Sequence, residues 1–356
     1  MTGSAGRSSA RPAASPGGRP ASLRAAAPNV ALRPVPPHRG AIPVHPMLAT
    51  PTDRRSFDGR WLFERKLDGV RVLAVRDADG IRLLSRTGRD VSTTYPEVVA
   101  ALAAQRCTDF TVDGEVVALR AGRTDFSLLQ QRMGLTDPRA VRASPVEVHY
   151  YVFDVLALDG WDTGRVPQRT RKVLLRDAFA YGGPLRFTPH RNYDGDTPAL
   201  LADACARGWE GLIAKREDSV YRPRRSHDWL KLKCAAGQEF VVGGFTEPAG
   251  SRIGFGALLL GYHDAHGALR YAGKVGTGYS DRVLRELRER LDELARPASP
   301  FAGPVRERAV HWAEPALVAQ VAFTEWTRDG MLRHPRFLGL RDDKDPADVV
   351  REAPPG

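Results

Sequence analysis

From about residue 46 the chain is a succession of short apolar runs interrupted by Gly, Asp and Pro, and this texture restricts the fold more than any other feature. Such runs read as strands, and a dipeptide such as Asp79-Gly80 suits a tight hairpin turn. Antiparallel pairing is therefore expected where Trp61–Asp77, bent at Asp68-Gly69, is followed by Ile81–Ser85. Further strands are expected at Phe110–Leu119, Val146–Leu158, Gly211–Lys215 and Trp229–Lys233, with helices at Tyr95–Gln105, Phe126–Met133, Arg169–Phe179 and Ala199–Arg207. They lack the regular alternation of a doubly wound sheet, so an α+β core is expected.

After Cys234 the pattern changes. Ala235-Ala236-Gly237 reads as a hinge, and the Gly-separated runs Phe240–Phe245, Ala257–His263 and Ala268–Lys274 suit a small β-barrel. One helix is well marked at Asp281–Leu294: Ser280 can cap it, Val283, Leu284, Leu287, Leu291 and Leu294 form a core-facing stripe, and Pro297 follows. Ala309–Leu340 has more strand signal and ends in a turn, Arg341-Asp342-Asp343-Lys344, that reads locally as exposed and solvated. At 356 residues, two domains are expected.

Composition narrows the function. The net charge is +11, but residues 1–45 hold six arginines and no acid, so more than half of the excess lies in an Ala/Pro/Ser/Gly/Arg segment expected to be disordered. No apolar run is long enough to cross a membrane as a helix, so a soluble protein is expected. Cys107, Cys205 and Cys234 are odd in number and far apart, which disfavours both a disulfide framework and a zinc ribbon.

The chain has 46 arginines and only seven lysines. Only the ammonium can lose its proton and attack as an amine, so the lysines are the positions to inspect. Lys66 stands in Glu64-Arg65-Lys66-Leu67-Asp68-Gly69-Val70-Arg71, where the Asp-Gly turn lets it project from a strand end. In Trp229-Leu230-Lys231-Leu232-Lys233 alternation puts both lysines on one face. Glu210 and Lys215 end a short apolar strand, and Asp113-Gly114-Glu115 adds more acid. An amine attacking a nucleotide's α-phosphorus must be unprotonated, and cationic neighbours disfavour its charged form. The same cations, with a divalent ion held by carboxylates, would stabilise phosphate charge.

The order of these pieces resembles the covalent nucleotidyltransferase superfamily and, within it, the ATP-dependent DNA ligases, particularly the short bacterial enzymes and the ligase module of bacterial end-joining proteins. The likeness runs from His45-Pro46-Met47 to Pro346. It implies a nucleotidyltransferase (adenylation) domain of mixed antiparallel sheets with helices at 46–236 and an OB-fold domain at 237–350, after the tail 1–45. It implies that Lys66 takes AMP from ATP and that Asp68 and Glu210 hold Mg²⁺ or Mn²⁺. Arg71 and Arg86 would contact phosphates, Glu115 the ribose, and Lys215, Arg225, Lys231 and Lys233 would complete the ATP pocket. Phe153 would stack on adenine, unless it is a core aromatic. The backbone of Glu64 would lie at the adenine edge, its side chain mattering little. Arg341, Asp343 and Lys344 match an RxDK motif that reaches over to orient pyrophosphate. Lys274 would touch duplex phosphates or merely occupy a surface loop. The implied partners are duplex DNA with nicks or ends and repair proteins; the enzyme would act as a monomer at the bacterial nucleoid. An RNA ligase or other lysyl-nucleotidyltransferase is the alternative, and a non-catalytic DNA-binding module a further one that the carboxylates oppose.

Overall fold

The computed structural model describes residues 45–352 except 53, 55, 194–196, 235–236, 249, 251–252 and 328. The expected disordered tail and most of the Ala235–Gly237 hinge lie outside those residues.

Two sheets make up the region before Cys234. One has seven strands: Gly80–Ser85, Val70–Asp77, Phe110–Arg120, Val148–Leu158 and Trp161–Asp162 in spatial order, with Arg123–Thr124 and Leu185–Phe187 added at its sides. The other has five, in the order Leu48–Pro51, Arg225–Lys233, Gly211–Arg216, Trp61–Arg65 and His190–Asn192. Each expected strand forms, with ends shifted by a few residues. The helices are Pro96–Ala103, Phe126–Gln130, Gln168–Ala178 and Thr197–Ala206, together with Pro138–Ala143, which the sequence pattern did not suggest. Asp137 caps that short helix, accepting from Arg139 N.

Burial explains this pairing. Val72, Ala74, Val112, Val116, Tyr150 and Val152 of the seven-stranded sheet pack with Val98, Leu102, Leu174 and Leu175 of two helices. On the smaller sheet, Trp61, Phe63, Leu212, Ala214, Leu230 and Leu232 pack with Phe57 and Ala204. The chain passes from one sheet to the other through Lys66–Gly69, between Trp61–Arg65 and Val70–Asp77. Gly69 is required there, because a Cβ would strike the Val116 carbonyl oxygen.

Cys205 and Cys234 form a disulfide with Cα atoms 5.3 Å apart, leaving Cys107 free and buried. A single bond is not a disulfide framework, but the sequence reading, which disfavoured such a framework, did not foresee it. The pairing arises because the helix ending at Ala206 folds back toward the end of Arg225–Lys233, a proximity that spacing along the chain does not reveal.

The later region is a six-stranded antiparallel sheet in the order Leu269–Val275, Leu258–His263, Gly237–Thr246, Val310–Ala322 and Ala295–Arg296, with Arg336–Leu340 also on Val310–Ala322. Phe337 N donates to Thr277 O at 2.9 Å, bringing the two free edges together as a barrel requires. The helix Asp281–Glu293 covers this core: Ser280 accepts from Val283 N, and Leu284, Leu287 and Leu291 are buried.

Candidate active site

Lys66 follows directly on the strand Trp61–Arg65, and its backbone N–H donates to Gly211 O at 2.9 Å. That bond places it beside Glu210. Gly211 has φ +150°, and a Cβ there would strike Leu232 O, so only glycine lets its strand lie this close to Arg225–Lys233. The Lys66 ammonium forms an ion pair with Glu210. The expected cationic surround of Lys66 is thus modified: a carboxylate touches the amine, and the other cations line the remaining walls of its cavity.

Asp68 lies close by. Burial raises its carboxyl to about 6, with Glu210 adding to the rise and Lys66 and Arg341 opposing it. Two carboxylates crowded in this way suit a divalent cation, which would relieve their repulsion. Among the described residues no group of three or more His, Cys, Asp or Glu is arranged to hold a metal. The fit accordingly rests on this pair, with remaining ligands left to nucleotide and water.

The cationic wall comes from Arg225–Lys233, where Lys231 and Lys233 share a face as alternation predicts, both lining the cavity. Burial and the neighbouring Lys233 lower Lys231 to about 8. For Lys233 burial acts downward, but Glu352, Glu239 and Glu210 outweigh it and hold the ammonium above its ordinary value.

The opposite wall comes from the larger sheet. Arg71 donates to both Asp113 oxygens at 2.6 Å and to Met47 O at 3.1 Å, and its guanidinium lies 4.7 Å from the Phe153 ring centre. The Tyr221 hydroxyl donates to the same Asp113 at 2.6 Å. Asp113, seen in the sequence only as one more acid, therefore holds Arg71 in place. Glu115 lines the cavity too, and burial raises it to about 7 against Arg71, Arg341 and Lys66. Phe153 is a core aromatic that also borders the cavity: it is 8% exposed and packs with Met47 and Trp229.

Glu64 departs from expectation. Its side chain is buried and pairs with Lys172 at 2.8 Å and Lys215 at 2.7 Å. Lys215 lies 4.1 Å from the Trp229 ring centre and 4.5 Å from that of Phe153, and burial lowers its pKa despite Glu64 and Asp154. Lys172, which lies outside the motif pattern, also donates to Thr188 O at 2.7 Å. Its only signal in the sequence is that it is one of seven lysines.

Arg341 and Lys344 close the cavity from the barrel side. The turn expected to be exposed is not: Arg341 and Asp343 are 7% and 1% exposed and form a two-pronged ion pair at 2.9 Å. Lys344 pairs with Glu239 at 3.2 Å, and that acid, which sequence reasoning missed, is held well below the carboxylate range by Lys344 and Arg341 despite its burial. Arg86 reaches Asp348 at 2.7 Å and Arg225 reaches Ala49 O at 2.8 Å; both arginines line the cavity. Lys274 lies elsewhere, exposed on the barrel and paired with Glu307 at 2.6 Å.

All fourteen expected site residues thus border one cavity that joins two sheets and the barrel. Comparison with known proteins shows the family of the chain. The family model described as ATP dependent DNA ligase domain matches residues 46–233, and that described as ATP dependent DNA ligase C terminal region matches 251–344. The multifunctional non-homologous end joining protein LigD of Pseudomonas aeruginosa is 41% identical over 307 residues, covering 84% of this chain and 35% of that protein. The LigD of Mycobacterium bovis is 38% identical over 314 residues, covering 86% and 40%. The chain therefore spans well under half the length of these relatives. A solved structure, mycobacterial DNA ligase D complexed with ATP and MES, has 37% identity and a TM-score of 0.60, covering 86% of this chain and 98% of that one. These likenesses favour a DNA ligase over the RNA-ligase alternative. With family models covering both of its regions and an ATP-bound ligase as a structural neighbour, the chain belongs to the ATP-dependent DNA ligases.

Proposed function

We propose that the chain seals nicks or ends in duplex DNA during bacterial end-joining repair, through AMP carried on Lys66. The observation that carries this reading is the placing of Lys66 beside Glu210 and Asp68, in a cavity whose other walls present Lys231, Lys233, Arg341 and Lys344. A purely DNA-binding surface has no use for the enclosed acids.

In the proposed first step Lys66 Nζ attacks the α-phosphorus of ATP. The N–P bond forms as the bond to the β-phosphate oxygen breaks, the amine's proton leaves by way of Glu210, and pyrophosphate departs. Lys231 and Lys233 hold the α-phosphate oxygens, while Arg341 and Lys344 orient the pyrophosphate. The adenine lies against Phe153, Glu115 meets the ribose, Arg86 and Arg225 contact phosphate, and Arg71, fixed by Asp113, supports the pocket. Glu64 and Lys215 form its floor. Asp68 and Glu210 would hold Mg²⁺ or Mn²⁺, whose bound charge would neutralise the triphosphate. AMP then passes to a 5′-phosphate, and a 3′-hydroxyl displaces it.

The cavity here is closed by Arg341 and Lys344, whereas the DNA steps need that space for the duplex. The division into 46–236 and 237–350, with a swing about 235–237, meets both needs. No described helix is long and apolar enough to cross a membrane; a monomer acting at the cytoplasmic nucleoid fits the reading.

The test is incubation with labelled ATP and Mg²⁺ or Mn²⁺, followed by nicked DNA or nicked RNA. Covalent label on wild type, none on Lys66→Ala, and sealing of DNA support the proposal. Absence of label, equal label on both, or sealing of RNA alone would reject it.

A further inference from the structure

The segment after Lys344 enters the nucleotide cavity. Asp345 caps a short turn by accepting from Ala347 N at 2.9 Å, and Asp348 pairs with Arg86. Beyond the turn, Val349 is buried and its carbonyl accepts from His263 N at 2.7 Å, while Val350 bridges to His263 in parallel. Glu352 N donates to Gln238 Oε1 at 2.9 Å. Residues 345–352 thus form a strap anchored to the barrel by backbone and side-chain bonds.

The end of this strap lies on the lysine strand. One Glu352 oxygen pairs with Lys231 Nζ and the other with Lys233 Nζ, the latter at 2.7 Å. All three side chains are less than one-fifth exposed. Two oxygens from one anionic centre, each facing one ammonium, is the arrangement that two non-bridging phosphate oxygens would adopt. Parallel, largely desolvated ammoniums repel each other, so this face needs an anion whether or not nucleotide is present. Glu352 also lies beyond residue 344, where the family match ends.

We propose that Glu352 is the resident anion of the phosphate site: it holds Lys231 and Lys233 in register in the closed, nucleotide-free enzyme, and an incoming nucleotide phosphate must displace it. The inference rests on the assignment of these lysines to the α-phosphate. Residue 352 then sets nucleotide affinity, because part of each phosphate contact replaces an existing ion pair. A phosphate retained on Lys66 would keep the carboxylate out and weaken the closed arrangement, favouring entry of DNA.

The sign of the effect separates this role from a structural one. Glu352→Gln keeps the shape and the backbone bond to Gln238 but removes the competing charge. Apparent ATP affinity, measured by titration calorimetry and by KM for self-adenylation, should tighten roughly tenfold, the scale of a charge-assisted hydrogen bond. Pyrophosphate affinity should tighten too. Glu352→Asp, which keeps the charge on a shorter side chain, should tighten ATP binding less than Glu352→Gln does. In a Lys231→Ala background the tightening should shrink, since half of the displaced contact is gone. Unchanged or weaker ATP binding in Glu352→Gln, with wild type still labelled at Lys66, would overturn the proposal and leave the ligase reading standing. Failure of wild type to label would reject the ligase reading instead.

Discussion

Glu64 and Lys172 form a buried ion pair, 2.8 Å apart, that ties the strand leading to Lys66 to the helix Gln168–Ala178. Lys215 shares the same carboxylate at 2.7 Å. The nucleophile therefore stands at the end of a strand whose penultimate side chain is held from two directions, which preorganises the site. Removing the carboxylate would leave two ammoniums buried with reduced compensation. Glu64→Ala is expected to lower stability by about 3–5 kcal/mol, read as a fall in the thermal or urea midpoint. Lys172→Met in the Glu64→Ala background should recover part of the loss.

Lys66→Ala and Lys66→Arg should both reduce covalent AMP labelling by at least about 10³-fold. Arginine retains the charge and the reach toward Glu210, but it stays protonated and cannot attack. Sealing of a nick already carrying 5′-AMP should survive better than sealing from ATP, and gel assays of the two substrates separate the steps.

Lys344→Met should act on one step only. Lys344 and Arg341 reach the cavity from the barrel, so their effect belongs to the closed arrangement. Adenylation is expected to fall about 10²-fold, while sealing of a pre-adenylated nick remains near wild type. Equal loss in both assays would contradict that division.

Burial raises Asp68 to about 6 and Glu115 to about 7. Both folded-state values exceed those of the unfolded chain, so the native state keeps protons that the unfolded chain has lost. Their contribution to stability is complete below about pH 4 and is lost as pH rises to about 7. The reaction needs the opposite state, with Asp68 ionised for a divalent ion. Single-turnover adenylation should therefore rise between pH 5.5 and 7.5 as the fold loses a little stability. Glu115→Gln should remove the upper part of both pH profiles.

The Cys205–Cys234 bond closes a loop of 29 residues. Reduction, or Cys205→Ser, should cost roughly 3.5 kcal/mol on the chain-entropy scale. Thiol titration of the denatured, unreduced protein should find one thiol, from Cys107, and three after reduction.

Local pattern alone determined much of this protein. Alternation located Lys231 and Lys233 on one face of a strand, the Asp-Gly turn projected Lys66, and the apolar runs marked the strands of an α+β core and of a small barrel, because each depends on residues a few positions apart. The motif order then brought Glu210 and Asp68 into the same site. The tertiary structure decided which charges are buried and what each one touches. The RxDK turn looks solvated by itself, yet Arg341 and Asp343 are buried because the barrel lays them on the cavity. Lys172, the Asp113 support of Arg71, the cysteine pair and Glu352 depend on partners that are distant in sequence. A charge is tolerated in the interior only where the fold supplies its counter-charge, and that supply depends on how two sheets and a barrel meet.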